Sequence, residues 1–494
     1  MKKGQKLLKS KMFWIGILYF AEGFPLGVFY DLFPVHFRQQ GVELWKIGFM
    51  SLLGLAWTLK FLWAPAIDHY RHHRRWMFIS DILMGVVILF FSLKLGFGPW
   101  AWIAVGCFTL LSATNDIAID GYTIELLDKK ELGLANGLRI GFYRVGMLAS
   151  GFVLILSDYA GWSGAYMAAA GILCLSGFFC LNAPKEKAYA HKEGPSLLGE
   201  LRRLIHRPRT FGIVVLFFLG TLWLINNATH WSDTTPSFWP ISLGVAALVM
   251  GASIGLGSKA LSSGNGNNLS KVAEGPMFGT LMAMLQRPYI IPVIVFILTF
   301  KLADSSMGFM VKPFWVDVGF SATEIGLVSV NIGLILSIAG GVAGGWITDR
   351  TSIFKALWTL GLFQAVSNLG YAMAAYVLPV VEAGTIISLE HKALIYSASA
   401  VESFTGGLGT AAFLAFLMAI VNKKHSATEY ALLSSVFALS RSLAGWAGGF
   451  GAQNMGYAPY FLLTFFLAFP AYGFLPYVKK MLHYAESQEE WDQV

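Results

Sequence analysis

Charge is scarce in this sequence. Only 13% of its 494 residues are Asp, Glu, Lys or Arg, whereas a soluble globular chain carries about 25%, and the deficit excludes a soluble enzyme or scaffold. Cysteine is scarcer still. Cys107, Cys174 and Cys180 all fall inside apolar segments with no C-x-x-C spacing, which excludes a disulfide framework and a zinc site. There is no phosphate-cradling Gly-x-x-x-x-Gly-Lys and no histidine-glutamate metal pair, so neither ATP hydrolysis nor metal-assisted catalysis is expected, and no cofactor or metal. The basic start MKKGQKLLKSK runs into apolar chain through Ala21-Glu22-Gly23-Phe24-Pro25 without a small-residue cleavage site. An uncleaved first span is expected. The net charge of +8 is split among short gaps and forms no continuous face, which argues against a nucleic-acid groove.

Apolar residue is what remains, 56% of the chain. It is gathered into blocks of bilayer-spanning length at roughly 12-37, 46-66, 77-94, 100-124, 134-157 and 163-181, each able to cross as a helix with its backbone groups bonded internally. A polar run from Asn182 to Thr210, with Lys185, Lys187, Lys192, Arg202, Arg203, Arg207 and Arg209, then interrupts the pattern. Blocks resume at about 211-228 and 238-258, followed by a Gly/Ser/Asn-rich stretch from Gly257 to Asn268. Six more follow at about 288-311, 322-346, 354-380, 393-421, 428-450 and 457-477. The expectation is an all-α polytopic membrane protein of fourteen spans. It divides into a six-helix bundle (1-181), a connector (182-210), an inserted helix pair with its loop (211-287), a second six-helix bundle (288-478) and a tail (479-494).

The bias of Lys and Arg orients this arrangement. With both termini cytoplasmic, the inside gaps hold most of the basic residues and the outside gaps only Arg38, Lys46, Lys94, Lys312 and Lys392. The two halves also repeat. Ala64-Pro65-Ala66-Ile67-Asp68-His69-Tyr70-Arg71 follows the second span, and Gly345-Trp346-Ile347-Thr348-Asp349-Arg350 closes the second span of the last six. An aspartate there can accept from a neighbouring helix N-terminus while the bases meet helix C-termini. This pair resembles the loop signature of the major facilitator superfamily, although the first copy has Ala64 for glycine and His69 after the aspartate. The resemblance implies two six-helix bundles around a midplane cavity. It also implies gating loops at Asp68, Arg71, Gly345, Asp349 and Arg350 that latch the outward-open state.

Ionisable side chains within the apolar blocks narrow the site. Each costs about 2.5–3.5 kcal/mol at a bilayer centre on insertion scales, so they are expected to line a wet cavity. Asp116 and Asp120 share a helix face, and either hold one exchangeable proton between them or neutralise Arg139 or Arg144 as a fixed pair. Arg144, beside Tyr143, is the base expected to face the cavity, and Arg139 the one expected to pair with an acid. Lys301 and Asp304 are one turn apart and either satisfy each other or bind substrate. Glu402, near Gly406, Gly407 and Gly409, is the candidate proton carrier of the second half, unless Arg441 locks it. Gln364 and Asn368 form a polar face suited either to sugar and amide contacts or to hydrogen bonds between helices.

Several blocks carry a narrower resemblance: Asn115 to Asp120, Tyr143 to Met147, Phe300 to Asp304, Gln364 to Tyr371, Glu402 to Ala411, and Ser426 to Ser434. These look like the AmpG-type muropeptide permeases, a group related to acetyl-coenzyme A transporters and more distantly to siderophore permeases. What the resemblance implies is proton-coupled import of anhydro-muropeptides across the bacterial inner membrane by a monomer in the lipid bilayer. Arg144, Lys301 and Arg441, with Tyr143, Gln364 and Asn368, would contact substrate. Glu402, Asp304, Asp116 and Asp120 would carry protons. Another anionic solute, such as a siderophore or acetyl-coenzyme A, would suit the same cations.

Overall fold

The computed structural model describes residues 10–60, 63, 67, 72–93, 96–126, 132–184, 284, 287–381, 387–421 and 426–491. The chain divides into two units, residues 1–188 with 289–494, and residues 189–288. Most of the connector and both inserted helices expected at 211-228 and 238-258 lie outside the described residues. So do Asp68 and Arg71.

The first unit contains only helices among the described residues, grouped here as twelve segments in two sets of six. The first set is α1 (Lys11–Gln39), α2 (Leu44–Leu59), α3 (His73–Leu93), α4 (Pro99–Leu126), α5 (132–160) and α6 (162–181). Helices α5 and α6 form one run broken at Gly161, whose φ of 67° reverses the chain in a conformation that glycine adopts without steric cost. The second set is α7 (Ile290–Asp317), α8 (Ala322–Arg350), α9 (Ile353–Val377), α10 (Leu389–Ala419), α11 (Ser426–Met455) and α12 (Tyr457–Tyr472 with Leu475–Trp491, bent by 46°). Residues 479–491, expected as a tail, continue the last helix.

Seven helices are long and apolar enough to cross a membrane by length and composition, or eight if the bent final pair is one span. Helices α9 and α11 have the length but are more polar, because they carry Gln364, Ser367, Asn368 and Arg441 toward the interior. Lys312, placed by the sequence in an outer gap, belongs instead to α7, which runs on to Asp317. Its charge is matched by Asp31 of α1 at 3.3 Å, which is what lets a helix carry it inward.

In lipid, helix association relies on close packing rather than on burial from water. Glycine provides the packing here. Helices α8 and α10 cross at Gly344, where an added Cβ would lie 2.6 Å from the Leu408 carbonyl oxygen. The two bundles meet along two seams. On α2 and α11, a Cβ at Gly48 would lie 2.6 Å from the Gly449 Cα; on α5 and α8, a Cβ at Gly326 would lie 2.7 Å from the Gly151 carbonyl oxygen.

The face where α1 begins and α6 ends is called proximal below, and the opposite face distal. The distal ends are tied together. The Leu44 amide donates to Gln453 Oε1 at 2.9 Å, and the Thr323 amide to Asp158 Oδ2 at 2.5 Å. Toward the proximal end of α8, by contrast, no atom lies within 4 Å of a Cβ added at Gly341 or Gly345.

Candidate functional site

Between the bundles lies a cavity of about 400 Å³ lined from α1, α5, α7, α8, α10 and α11, within the ~300–1,000 Å³ range of small-molecule sites. Its ionisable lining is Asp31, Arg144, Lys301, Asp304, Lys312, Glu402 and Arg441, four bases against three acids. Two π-helical stretches reach it: Val28–Leu32 carries Tyr30 and Asp31, and Ile325–Ile332 carries Ser329 and Val330. Such wide turns re-aim side chains within a span and frequently mark functional positions.

In the second half, α7 breaks at Lys301, between Ile290–Phe300 and Leu302–Asp317. The Lys301 side chain is only 1% exposed. Its Nζ donates to Gln364 Oε1 at 2.8 Å and to the Gly406 carbonyl at 3.4 Å, and stands 3.5 Å from Asp304 Oδ2. Glu402 joins this group: a Cβ at Gly406 would lie 3.8 Å from Glu402 Oε1 and 3.9 Å from Asp304 Oδ1, so both carboxylates flank one turn of α10. The Ser403 hydroxyl donates to Glu402 Oε2 at 3.3 Å.

The arginines differ from the lysines. Arg441 stacks on Tyr30 across the two bundles, 4.8 Å from the ring centroid, and lies 6.0 Å from that of Phe437. Arg144 faces it from α5, and among the described residues neither arginine forms an ion pair with a carboxylate. Tyr143 lines the cavity beside Arg144.

Asp116 and Asp120 do not line the cavity. They belong to a cluster inside the first bundle, where Lys60 of α2 sits 3.7 Å from Asp116 and 3.8 Å from Asp120. Arg139 pairs with Asp120 at 2.8 Å and stacks over Tyr19, whose hydroxyl donates to the same carboxylate at 3.0 Å. Glu22 of α1 joins the cluster, with its Oε2 buried and, among the described residues, without a hydrogen-bond partner. Three acids therefore face two bases.

Gln364 and Asn368 are buried between helices and absent from the cavity wall. Gln364 is turned to Lys301, and Asn368 Nδ2 donates to Thr464 Oγ1 of α12 at 3.2 Å. Of the expected gating residues, Asp349 and Arg350 are exposed, with Arg350 stacked on Trp346 at 4.3 Å.

Sequence reasoning missed three features. Lys312 and Asp317 fell beyond the drawn end of the block at 288-311. Arg38, counted only as a topology signal, binds Asp317 through both nitrogen prongs at 2.5 and 2.6 Å. Asp81, wholly buried in α3, accepts from Asn115 Nδ2 at 2.9 Å; an acid five residues inside an apolar block was the available signal.

Comparison with known proteins gives a consistent result. The family described as Major Facilitator Superfamily matches residues 47–389. The chain is similar to the anhydromuropeptide permease of Escherichia coli strain K12, 26% identical over 487 residues that cover 96% of this chain and 81% of the relative. It is also similar to putative transporter AmpG 4 of Rickettsia conorii, 23% identical over 490 residues, covering 96% and 98%. Among solved structures, an auto-inhibited POT family peptide transporter superposes with a TM-score of 0.64 at 12% identity, covering 96% of each chain. A bacterial Spinster homologue in an inward-facing, unoccupied conformation gives 0.61 at 12% identity, covering 96% and 97%. A polytopic bundle built around a charged cavity, together with a family match over more than half its length, places this chain in the Major Facilitator Superfamily.

Proposed function

We propose that the protein imports anhydro-muropeptides across the bacterial inner membrane, driven by the proton gradient. The observation that carries this reading is the pair Arg144 and Arg441, two guanidinium groups from opposite bundles that face one cavity without carboxylate partners among the described residues. Guanidinium forks suit carboxylates, and a muropeptide presents them on its stem peptide and hydroxyls on its sugars. The similarity to a permease named for anhydromuropeptide, over nearly the whole chain, supports the same substrate class. On this reading the proximal face, with both termini, is cytoplasmic. The protein works as a monomer, with its two bundles rocking about the cavity. Glu402 and Asp304 exchange protons at the cavity wall, and the cluster of Glu22, Asp116 and Asp120 does so behind it.

The test is uptake of labelled anhydro-muropeptide into vesicles at two external pH values, with and without a protonophore. Uptake that rises at low pH and collapses with the protonophore is expected. Well-inserted protein that takes up none, but does take up another anionic solute, overturns the substrate assignment.

A further inference from the structure

Two ion pairs join the same two helices in opposite sense. At the distal end the base is on α1: Arg38 grips Asp317 of α7 through Nε and Nη2, and the Tyr457 hydroxyl donates to the same carboxylate at 2.6 Å. About two turns deeper on α1, the base is on α7: Lys312 pairs with Asp31 at 3.3 Å. The outer rung is closed on itself, with Arg38 Nη1 donating in addition to the Val42 carbonyl at 2.8 Å, and neither of its members lines the cavity. Both members of the inner rung do. Asp31 rises from the π-helical stretch of α1, and Lys312 stands one residue before Pro313, which leaves the helix without one backbone donor at that turn.

We propose that Lys312 is a ligand for a substrate carboxylate, held by Asp31 while the distal face is closed and released to the substrate when that face parts. The proposal rests on the reading of the protein as an importer of an anionic solute. Its physical basis is an exchange of partners. Parting the distal ends of α1 and α7 separates both rungs together, and a half-buried ammonium that loses its counter-ion is open to another carboxylate. Lys312 pairs with Asp31 on α1 and acts on Glu402 on α10. Glu402 is already shared with the field of Lys301, so an incoming carboxylate is the group that takes the place of Asp31. When the face closes, Asp31 reclaims Lys312 and the substrate loses one of its cations. Substrate release is then built into the same motion that seals the distal side.

The test exchanges charges at each rung separately: Arg38→Asp with Asp317→Arg, and Asp31→Lys with Lys312→Asp. Distal closure is read independently by a short thiol crosslinker between Asp158→Cys and Thr323→Cys on the other seam, with single-cysteine controls. Uptake of labelled anhydro-muropeptide is measured in parallel. The outer exchange is expected to keep both crosslinking and a wild-type KM. The inner exchange is expected to keep crosslinking while KM rises about ten-fold or more, the loss of one charge-assisted contact. Asp31→Asn, which frees Lys312, is expected to lower KM and slow turnover. A wild-type KM in the inner exchange, or loss of its crosslinking, overturns the proposal, as does an unchanged KM in Asp31→Asn. Wild-type protein that takes up no muropeptide refutes the substrate reading and the proposal together, whereas normal wild-type uptake with an indifferent inner rung refutes the proposal alone.

Discussion

The two bundles each hold a group of charges within the span of the membrane, and each group sets more than one carboxylate around a lysine. In the first bundle Glu22, Asp116 and Asp120 face Lys60 and Arg139; in the second, Asp304 and Glu402 face Lys301. Each gathers carboxylates about one lysine, and Glu402 of the second also feels Lys312. Their positions differ. The second group lines the cavity, where a solute touches it, while the first stands behind the wall on α1, α2, α4 and α5. A carboxylate in the first group is therefore reached by a proton but not by a substrate, and one in the second by both. Within the proposed function, the first bundle senses the gradient and the second couples it to the cargo.

The largest effect expected from this difference comes from removing the central lysine of each group. Lys301 is 1% exposed and Lys60 is 32% exposed, so water reaches the second ammonium and not the first. Lys301→Met takes the buried ammonium away from the half-buried Asp304 and Glu402, a loss of about 3 kcal/mol, and is expected to abolish uptake and lower the melting temperature in detergent. Adding Asp304→Asn to it should recover part of that stability. Lys60→Met is expected to cost less than half as much. Equal losses in the two variants would dissolve the distinction between a closed site and a wet one.

A smaller effect separates the two roles. Glu402→Gln alters the cavity wall and is expected to change KM for the labelled muropeptide by about ten-fold, the weight of one charged hydrogen bond. Glu22→Gln is expected to leave KM within two- to three-fold, ~0.5 kcal/mol, while uptake no longer rises as external pH falls. A Glu22→Gln protein whose pH response is intact but whose KM has shifted would reverse the assignment of the two groups.

Much of this contrast was visible in the sequence, and the part that was not has a definite cause. The number of core spans and the six-plus-six division follow from apolar block length and basic gaps, because the bilayer demands both. The acids Asp116 and Asp120 and the bases Lys301 and Arg441 announced themselves as charges in apolar blocks. The sequence placed Arg144 at the cavity and Arg139 against an acid, but it left open which wall Asp116 and Asp120 face. Arg139 lies on α5, whose rotation is set by close contacts between glycines and distant carbonyls, such as Gly146 against the Phe20 carbonyl of α1, and a hydropathy pattern carries no such information. Lys312 was lost for a related reason. A lysine near a block end reads as a boundary, and only its partner Asp31, 281 positions earlier in the chain, makes it an interior residue.

The smallest effect tests where the second bundle's polar surface ends. Asn368 was expected to share a solute-binding face with Gln364, one turn away, yet its amide donates to Thr464 of α12 and its Oδ1 is buried without a partner. Asn368→Ala removes one neutral hydrogen bond that is imperfectly satisfied to begin with, so a loss of about 0.5–1.5 kcal/mol in stability is expected, together with a small void. Because the side chain lies outside the cavity wall, KM for muropeptide should stay at its wild-type value. Gln364→Ala provides the contrast: it strips Lys301 of its 2.8 Å acceptor, and its effect is expected to reach the cavity through that lysine. If Asn368→Ala raised KM as much as Gln364→Ala does, the polar face of α9 would belong to the solute, and the cavity would extend behind Lys301 to α12.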